Sequence, residues 1–183
     1  MRCGGDKNMK YFLDTEFIEA GLEFPIQLLS IGIVAEDRRE YYAVVDPIEL
    51  ELYLADDWVR ENVIKYLDFS IGKRRKTIAK EIIEFAGERP SWIGYYSDYD
   101  WVVLCQLFGR MIDLPKGWPM YCLDLKQMAM DFGNPKLPEL DGKIEHHALW
   151  DAREMKFRYD WLMKQYTISY IQEMENATEG YRT

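Results

Sequence analysis

Histidine and cysteine are scarce in this chain of 183 residues: it has two histidines, adjacent at His146 and His147, and three cysteines. Cys3, Cys105 and Cys122 show no CxxC spacing and are odd in number, which fits a reduced intracellular compartment best. Scattered thiols and one histidine pair make a zinc site unexpected. No apolar run approaches the ~18 residues that read as a membrane span. The N-terminus lacks the basic-then-apolar pattern of a secretory signal, so a cytoplasmic protein is expected. Internal repeats and low-complexity linkers are absent too. Positive charge is also short: 23 Lys and Arg stand against 32 Asp and Glu, a net charge of −9. That argues against tight, charge-driven binding to long nucleic acid, which needs many Lys and Arg contacts to phosphates. It leaves room for an enzyme that grips a few nucleotides where bound cations supply the missing charge.

What the chain does have is apolar residues, 48% with 15% aromatic, enough for one well-packed domain. The polar, Gly-rich start reads as a flexible leader over 1–8, followed by a domain over 9–166 and a polar tail over 167–183. Lys10–Asp14, Gln27–Ala35 and Glu40–Val45 read as three strands, the last two joined by the turn Glu36–Arg39. Asp56 and Asp57 can cap a helix running through Val59, Val63, Ile64 and Leu67. Further helices are expected over about Lys73–Ala86, with Ile78, Ile82, Ile83 and Phe85 apolar, over Asp98–Met111, and from Asp124 through Met128. Short strands are expected at Trp92–Tyr96 and Met120–Asp124. Gly133–Gly142 is a loop, and a last helix starts near His147 and runs to about Tyr166. A three-strand meander followed by alternating helices and strands is an α/β pattern. It matches the ribonuclease H-like layout, a mixed five-stranded sheet flanked by helices, although other α/β folds share the pattern.

Acidic residues stand out in three islands. Asp14 and Glu16 lie two apart at a strand's end, so both side chains point to one face. They are either a solvated strand end or a pair of oxygen ligands for a hard divalent ion such as Mg²⁺. Asp100 precedes Leu104 by four residues, on the inward stripe of its helix with Leu107, Phe108 and Met111, while Ser97 or Asp98 suits the N-cap. An inward acid needs a partner, either a metal ion or a Lys or Arg from elsewhere. Asp151 repeats the logic on the stripe formed by Ala148, Ala152, Met155, Tyr159 and Leu162. His146, five residues ahead of Asp151, is placed to act as a base at the same site. His147 carries no assigned chemistry. Together these residues could hold two divalent ions beside a base, the equipment for cutting a phosphodiester bond.

The set Asp14-Thr-Glu16, Tyr99-Asp100 and His146-x4-Asp151 resembles the DEDDh class of 3′–5′ exonucleases. A closer similarity is to a small bacterial and phage 3′–5′ exoribonuclease family within it. That similarity is carried by Tyr11–Glu19, Leu29–Ala35, Glu40–Ala43, Trp58–Val63 and Leu104–Gly109, and it spans about Met9 to Tyr166. One departure is Phe17-Ile18 after the Asp-x-Glu, where many members of the class have a small or hydroxyl residue followed by Gly, a difference that bears on how the 3′ end is recognised. The resemblance implies two Mg²⁺ or Mn²⁺ ions bridged by Asp14, with Glu16, Asp100 and Asp151 completing their shells. His146 would take the proton of the attacking water, and nucleoside 5′-monophosphates would leave the 3′ ends of single-stranded RNA or short overhangs. Homodimers are frequent among such enzymes, and the aromatic tail beyond Tyr166 could contribute to one.

On the substrate side, Phe17 could stack on terminal bases or sit in the core. Trp58 and Asn62, one helical turn apart, could line the same groove. Lys73–Lys76 is the one dense basic run, read by default as a solvated helix face and otherwise as a guide for phosphates. Competing functions are an exonuclease acting mainly on single-stranded DNA, an endonuclease of the ribonuclease H type, and a catalytically silent nucleic-acid-binding module.

Overall fold

Strand β1 (Lys10–Ile18) is the axis around which the molecule is built. The computed structural model describes residues 8–180, with side chains through residue 171. The expected leader, except Asn8, and the last residues of the tail lie outside the described residues. β1 pairs antiparallel with β2 (Gln27–Ala35), which pairs antiparallel with β3 (Glu40–Val44). On its other edge β1 pairs in parallel with β4 (Ser91–Gly94), and β4 with the short β5 (Leu123–Asp124). The result is a mixed five-stranded sheet in the order β3-β2-β1-β4-β5. Around it pack α1 (Asp57–Asn62), α2 (Arg75–Ala86), α3 (Asp98–Gln106), α4 (Leu125–Asp131) and α5 (Ala148–Gly180). Among the described residues no helix is long and apolar enough to cross a membrane.

Alternation along β1 assigns the two faces. Tyr11 and Leu13 join Ile31, Ile33, Ile78, Ile82, Val103 and Leu104 in one buried cluster, under α2 and α3. Phe12 points the other way, into a second cluster with Ile93, Leu125, Ala152, Met155 and Leu162, under α4 and α5. Asp14 and Glu16 share the parity of Phe12, so they face α5. A register shift follows directly, between Glu16 and Phe17, where Phe17 pairs with Leu28 rather than Leu29. Such bulges re-aim side chains and are frequent beside active sites.

Gly32 decides how closely α5 can approach. It is the β2 partner of Asp14, and a Cβ built on it would collide with the backbone of Ala148 and Leu149. The first turn of α5 therefore rests directly on the sheet, next to Asp14. A bidentate ion pair between Arg153 and Glu40 on β3 (2.8 and 2.7 Å) fixes the same stretch of α5 from the side.

Several boundaries differ from the sequence expectation. β1 runs four residues past Asp14, because β2 continues to pair with it. The helix begun at Asp57 ends at Asn62, and tight turns at Ile64–Tyr66 and Phe69–Ile71 carry the chain on. α3 stops at Gln106 rather than Met111, because the N–H groups of Leu107, Phe108 and Gly109 bond three residues back. That leaves Met111 outside the helix and 46% exposed. Ile83, expected in the core, is exposed, and Ala79 and Ala86 share the buried face with Ile78 and Ile82 instead. α5 passes Tyr166 and continues to Gly180. No proline or glycine interrupts positions 167–179, so nothing stops a helix that is already nucleated.

Replacing Gly32 with alanine is expected to lower stability by roughly 2–3 kcal/mol, as overpacking does. It also displaces Asp151 from Asp14. Urea unfolding combined with an activity assay checks both; a wild-type midpoint and rate would show that α5 does not depend on this contact.

Candidate active site

Asp14, Glu16 and Asp151 each offer an oxygen within 4.8 Å of the others, and none of the three is fully exposed. Two come from β1 and one from the start of α5. Their mutual distance follows from the Gly32 contact and from the shared face of positions 14 and 16.

Asp100 arrives from a different direction. β4 pairs with β1 only at Lys10–Phe12, so beyond Phe12 that edge of β1 has no strand beside it among the described residues. The N-terminus of α3 takes the place of a strand. Asp100, 7% exposed, accepts the Thr15 backbone N–H at 2.9 Å and the Thr15 hydroxyl at 2.6 Å. The partner called for by an inward acid is thus Thr15, not a Lys or Arg. Ser97 occupies the N-cap position without a side-chain cap bond. Its N–H donates to Asp124 at 2.8 Å, tying this turn to β5.

The acids disturb one another. Burial, and then the charges of Asp100, Asp151 and Glu16, push the Asp14 carboxyl well above its usual range. Burial, Asp151 and Asp100 raise Glu16 to about 8. Burial raises Asp100 to about 6, against the two hydrogen bonds from Thr15, which pull it down. Burial is the first cause at all three, and the crowding of like charge adds to it. Lys143 offsets part of that crowding: its ammonium lies 2.7 Å from Asp151 and 2.7 Å from Glu154. The donor set itself, clustered carboxylate oxygens with no sulfur or imidazole among them, is that of a hard divalent cation. The residues fit the metal that the sequence resemblance implies.

His146 sits in the turn before α5 with a left-handed backbone (φ 55°). Its ring meets the Trp58 indole edge-to-face at 4.8 Å, which ties α1 to the turn before α5. Asn62 turns its amide back to the Trp58 carbonyl (2.9 Å). Phe17 is partly buried against the core and stacks on Tyr99 at 5.6 Å, with ring planes 9° apart. His147 stacks on Tyr42 at 4.6 Å and donates its backbone N–H to Asp151 at 3.2 Å. Half of the basic run is tied up: Lys73 pairs with Glu81 at 2.8 Å, and Arg74 with Asp46 and Glu49 at 3.3 and 3.5 Å.

Three participants escape sequence reasoning. Thr15 lies inside the Asp-x-Glu motif but pairs with Asp100 through its own backbone. Lys143, in a loop, carries no pattern at all. Glu154 could have been found, since it lies three residues after Asp151 and is 4% exposed. It accepts from Lys143 at 2.7 Å and from the Leu140 N–H at 3.2 Å, with Arg158 at 3.1 Å.

No protein-family model matches the chain. Two curated proteins from Mycobacterium tuberculosis, one from strain CDC 1551 / Oshkosh and one from strain ATCC 25618 / H37Rv, are each named 3′–5′ exoribonuclease. Each is 40% identical over 161 residues, covering 82% of this chain and 91% of the relative. Among solved structures, cell-death related nuclease 4 aligns with a TM-score of 0.51 at 10% identity, over 86% of this chain and 64% of that one. The chain thus spans less than two thirds of that nuclease, and the likeness shows the ribonuclease H-like fold.

Between pH 8 and 7 the metal-free protein is expected to gain stability as pH falls. Glu16 and Asp14 titrate higher folded than unfolded, so the folded state takes up more protons there and the stability they cost above pH 8 returns. Scanning fluorimetry in chelator should show the melting temperature rising by a few degrees, with a flatter slope in Glu16→Gln. A melting temperature that falls on acidification would contradict the raised carboxyls.

Proposed function

The chain belongs to the 3′–5′ exoribonuclease family of its mycobacterial relatives, and on that footing we propose that it is a divalent-metal-dependent 3′–5′ exoribonuclease. It shortens single-stranded RNA or short overhangs from the 3′ end and releases nucleoside 5′-monophosphates. The observation that carries this reading is the meeting of Asp14, Glu16 and Asp151 within 4.8 Å, with Asp100 bonded to the same strand. These four residues would hold two Mg²⁺ or Mn²⁺ ions, which when bound supply the positive charge that offsets the phosphate and acidifies a water.

The chain's own residues do the rest. An imidazole nitrogen of His146 accepts a proton from the attacking water. The water oxygen bonds to phosphorus as the bond from phosphorus to the 3′-oxygen breaks, and that oxygen takes up a proton from solvent. The Trp58 indole, in contact with the His146 ring, orients the base. Phe17 stacked on Tyr99 offers a face for a terminal nucleobase, and the Asn62 carbonyl oxygen is left to accept from a ribose hydroxyl. The two described cysteines, Cys105 and Cys122, are free thiols, in keeping with a cytoplasmic enzyme. A homodimer through exposed Tyr166, Ile168 and Tyr170 on α5 belongs to the same reading.

Asp14→Asn and Asp151→Asn are expected to reduce release of mononucleotide from RNA by at least about a hundredfold while keeping a cooperative melt. His146→Ala is expected to lower kcat by about a hundredfold or more, the range for loss of a general base, with Mn²⁺ binding kept in calorimetry. Wild-type turnover in either Asp variant would remove that acid from the site. An unchanged rate in the His146 variant would remove it as the base.

A further inference from the structure

Outside the acidic site, the chain builds one pocket of opposite character. It has a volume of about 330 Å³ and lies between α4, the loop 133–142 and α5, lined among others by Lys126, Lys136, Arg158, Asn134 and Tyr95. Three cations and no carboxylate line it, in a protein whose net charge is −9. We propose that this pocket holds a backbone phosphate of the RNA strand, upstream of the 3′ end that lies at the acids; the inference rests on the exoribonuclease reading.

The guanidinium is already fixed. Arg158 donates from Nε to the Pro138 carbonyl at 3.1 Å, pairs with Glu154 at 3.1 Å, and lies 5.4 Å from the centre of the Tyr95 ring. A guanidinium held this way loses little freedom when it meets a phosphate. Lys126 is held by the neutral Asn134 side chain at 2.7 Å, and among the described residues Lys136 makes no ion pair. Neither ammonium group meets an acid among the residues that line the pocket.

Position connects the pocket to the acids. Arg158 follows Asp151 by seven residues, close to two full turns, so the two share a face of α5 at a separation of about 10 Å. Glu154, between them on that face, is neutralised by Lys143 and Arg158. The loop that walls the pocket continues through Lys143 to His146. A strand with its last phosphodiester at Asp14 and Asp151 can therefore run along α5 and set an earlier phosphate over Lys126, Lys136 and Arg158. This gives a net-acidic protein a local grip on an anionic chain.

The test uses the full chain carrying Lys126→Glu and Lys136→Glu together, leaving Arg158 in place because it holds Glu154. With Mn²⁺ present, KM for a single-stranded RNA 12-mer should rise about tenfold while kcat is kept. KM for a dinucleotide, too short to reach the pocket, should stay as in the wild type. The salt dependence of the 12-mer's KM should also weaken, since each phosphate contact to a single strand adds about 0.7 to that slope. Equal KM values for the 12-mer in variant and wild type would overturn the proposal. So would an equal rise for both substrates. Should the wild type release no nucleotide, the exoribonuclease reading itself has failed. Fluorescence anisotropy of the labelled 12-mer in chelator then decides the pocket alone: a fivefold loss of affinity in the variant supports it, and equal affinity overturns it.

Discussion

The backbone contact between Gly32 and the first turn of α5 is the constraint on which the rest depends. It brings a helix that follows a long loop onto the central strands at the position where β2 pairs with Asp14. With any side chain at position 32 the helix would have to stand off, and Asp151 with it. The Arg153–Glu40 pair and the buried Ala148 and Ala152 support the same seating. Close packing here places three carboxylates where solvation alone would keep them apart.

That placement costs free energy, and the cost is visible in the raised carboxyls of Asp14, Glu16 and Asp100. A site whose acids are destabilised as anions by burial and by one another is held together by the surrounding core rather than by its own interactions. Lys143 and Thr15 relieve part of the repulsion, one through charge and the other through two hydrogen bonds. Divalent ions would relieve the remainder, so folding energy spent on burying and crowding these carboxylates becomes affinity for cations. The core sets the geometry, the geometry sets the electrostatics, and the electrostatics select the ligand.

Much of this was legible in the chain because it depends on period and parity. β2 runs from Gln27 to Ala35 in sequence and structure alike, since a segment rich in Leu, Ile and Val suits a strand buried on both faces. Helical phase put Asp100 and Asp151 on inward stripes, and strand parity put Asp14 and Glu16 on one face. Where interactions cross the chain, the sequence is silent. Thr15 and Asp100 meet because β4 pairs with β1 only as far as Phe12 and leaves the edge beside Thr15 open, and strand pairing is not written in either segment alone. Lys143 reaches Asp151 from a loop whose path is set by Glu154. The end of α3 is decided by a tightening last turn, whereas α5 runs on because positions 167–179 hold nothing to stop it. Phe17 sits at a bulge, where its ring meets both the core and the face of Tyr99, and the bulge itself leaves no mark in the local pattern.

The most direct test of the account is a time course of 5′-labelled single-stranded RNA beside DNA of the same sequence, with Mg²⁺ or Mn²⁺ and with chelator. A ladder shortening from the 3′ end, faster on RNA and abolished by chelator, is the predicted result. Cleavage that persists in chelator, internal cuts, or no product from a folded, metal-loaded protein would contradict it.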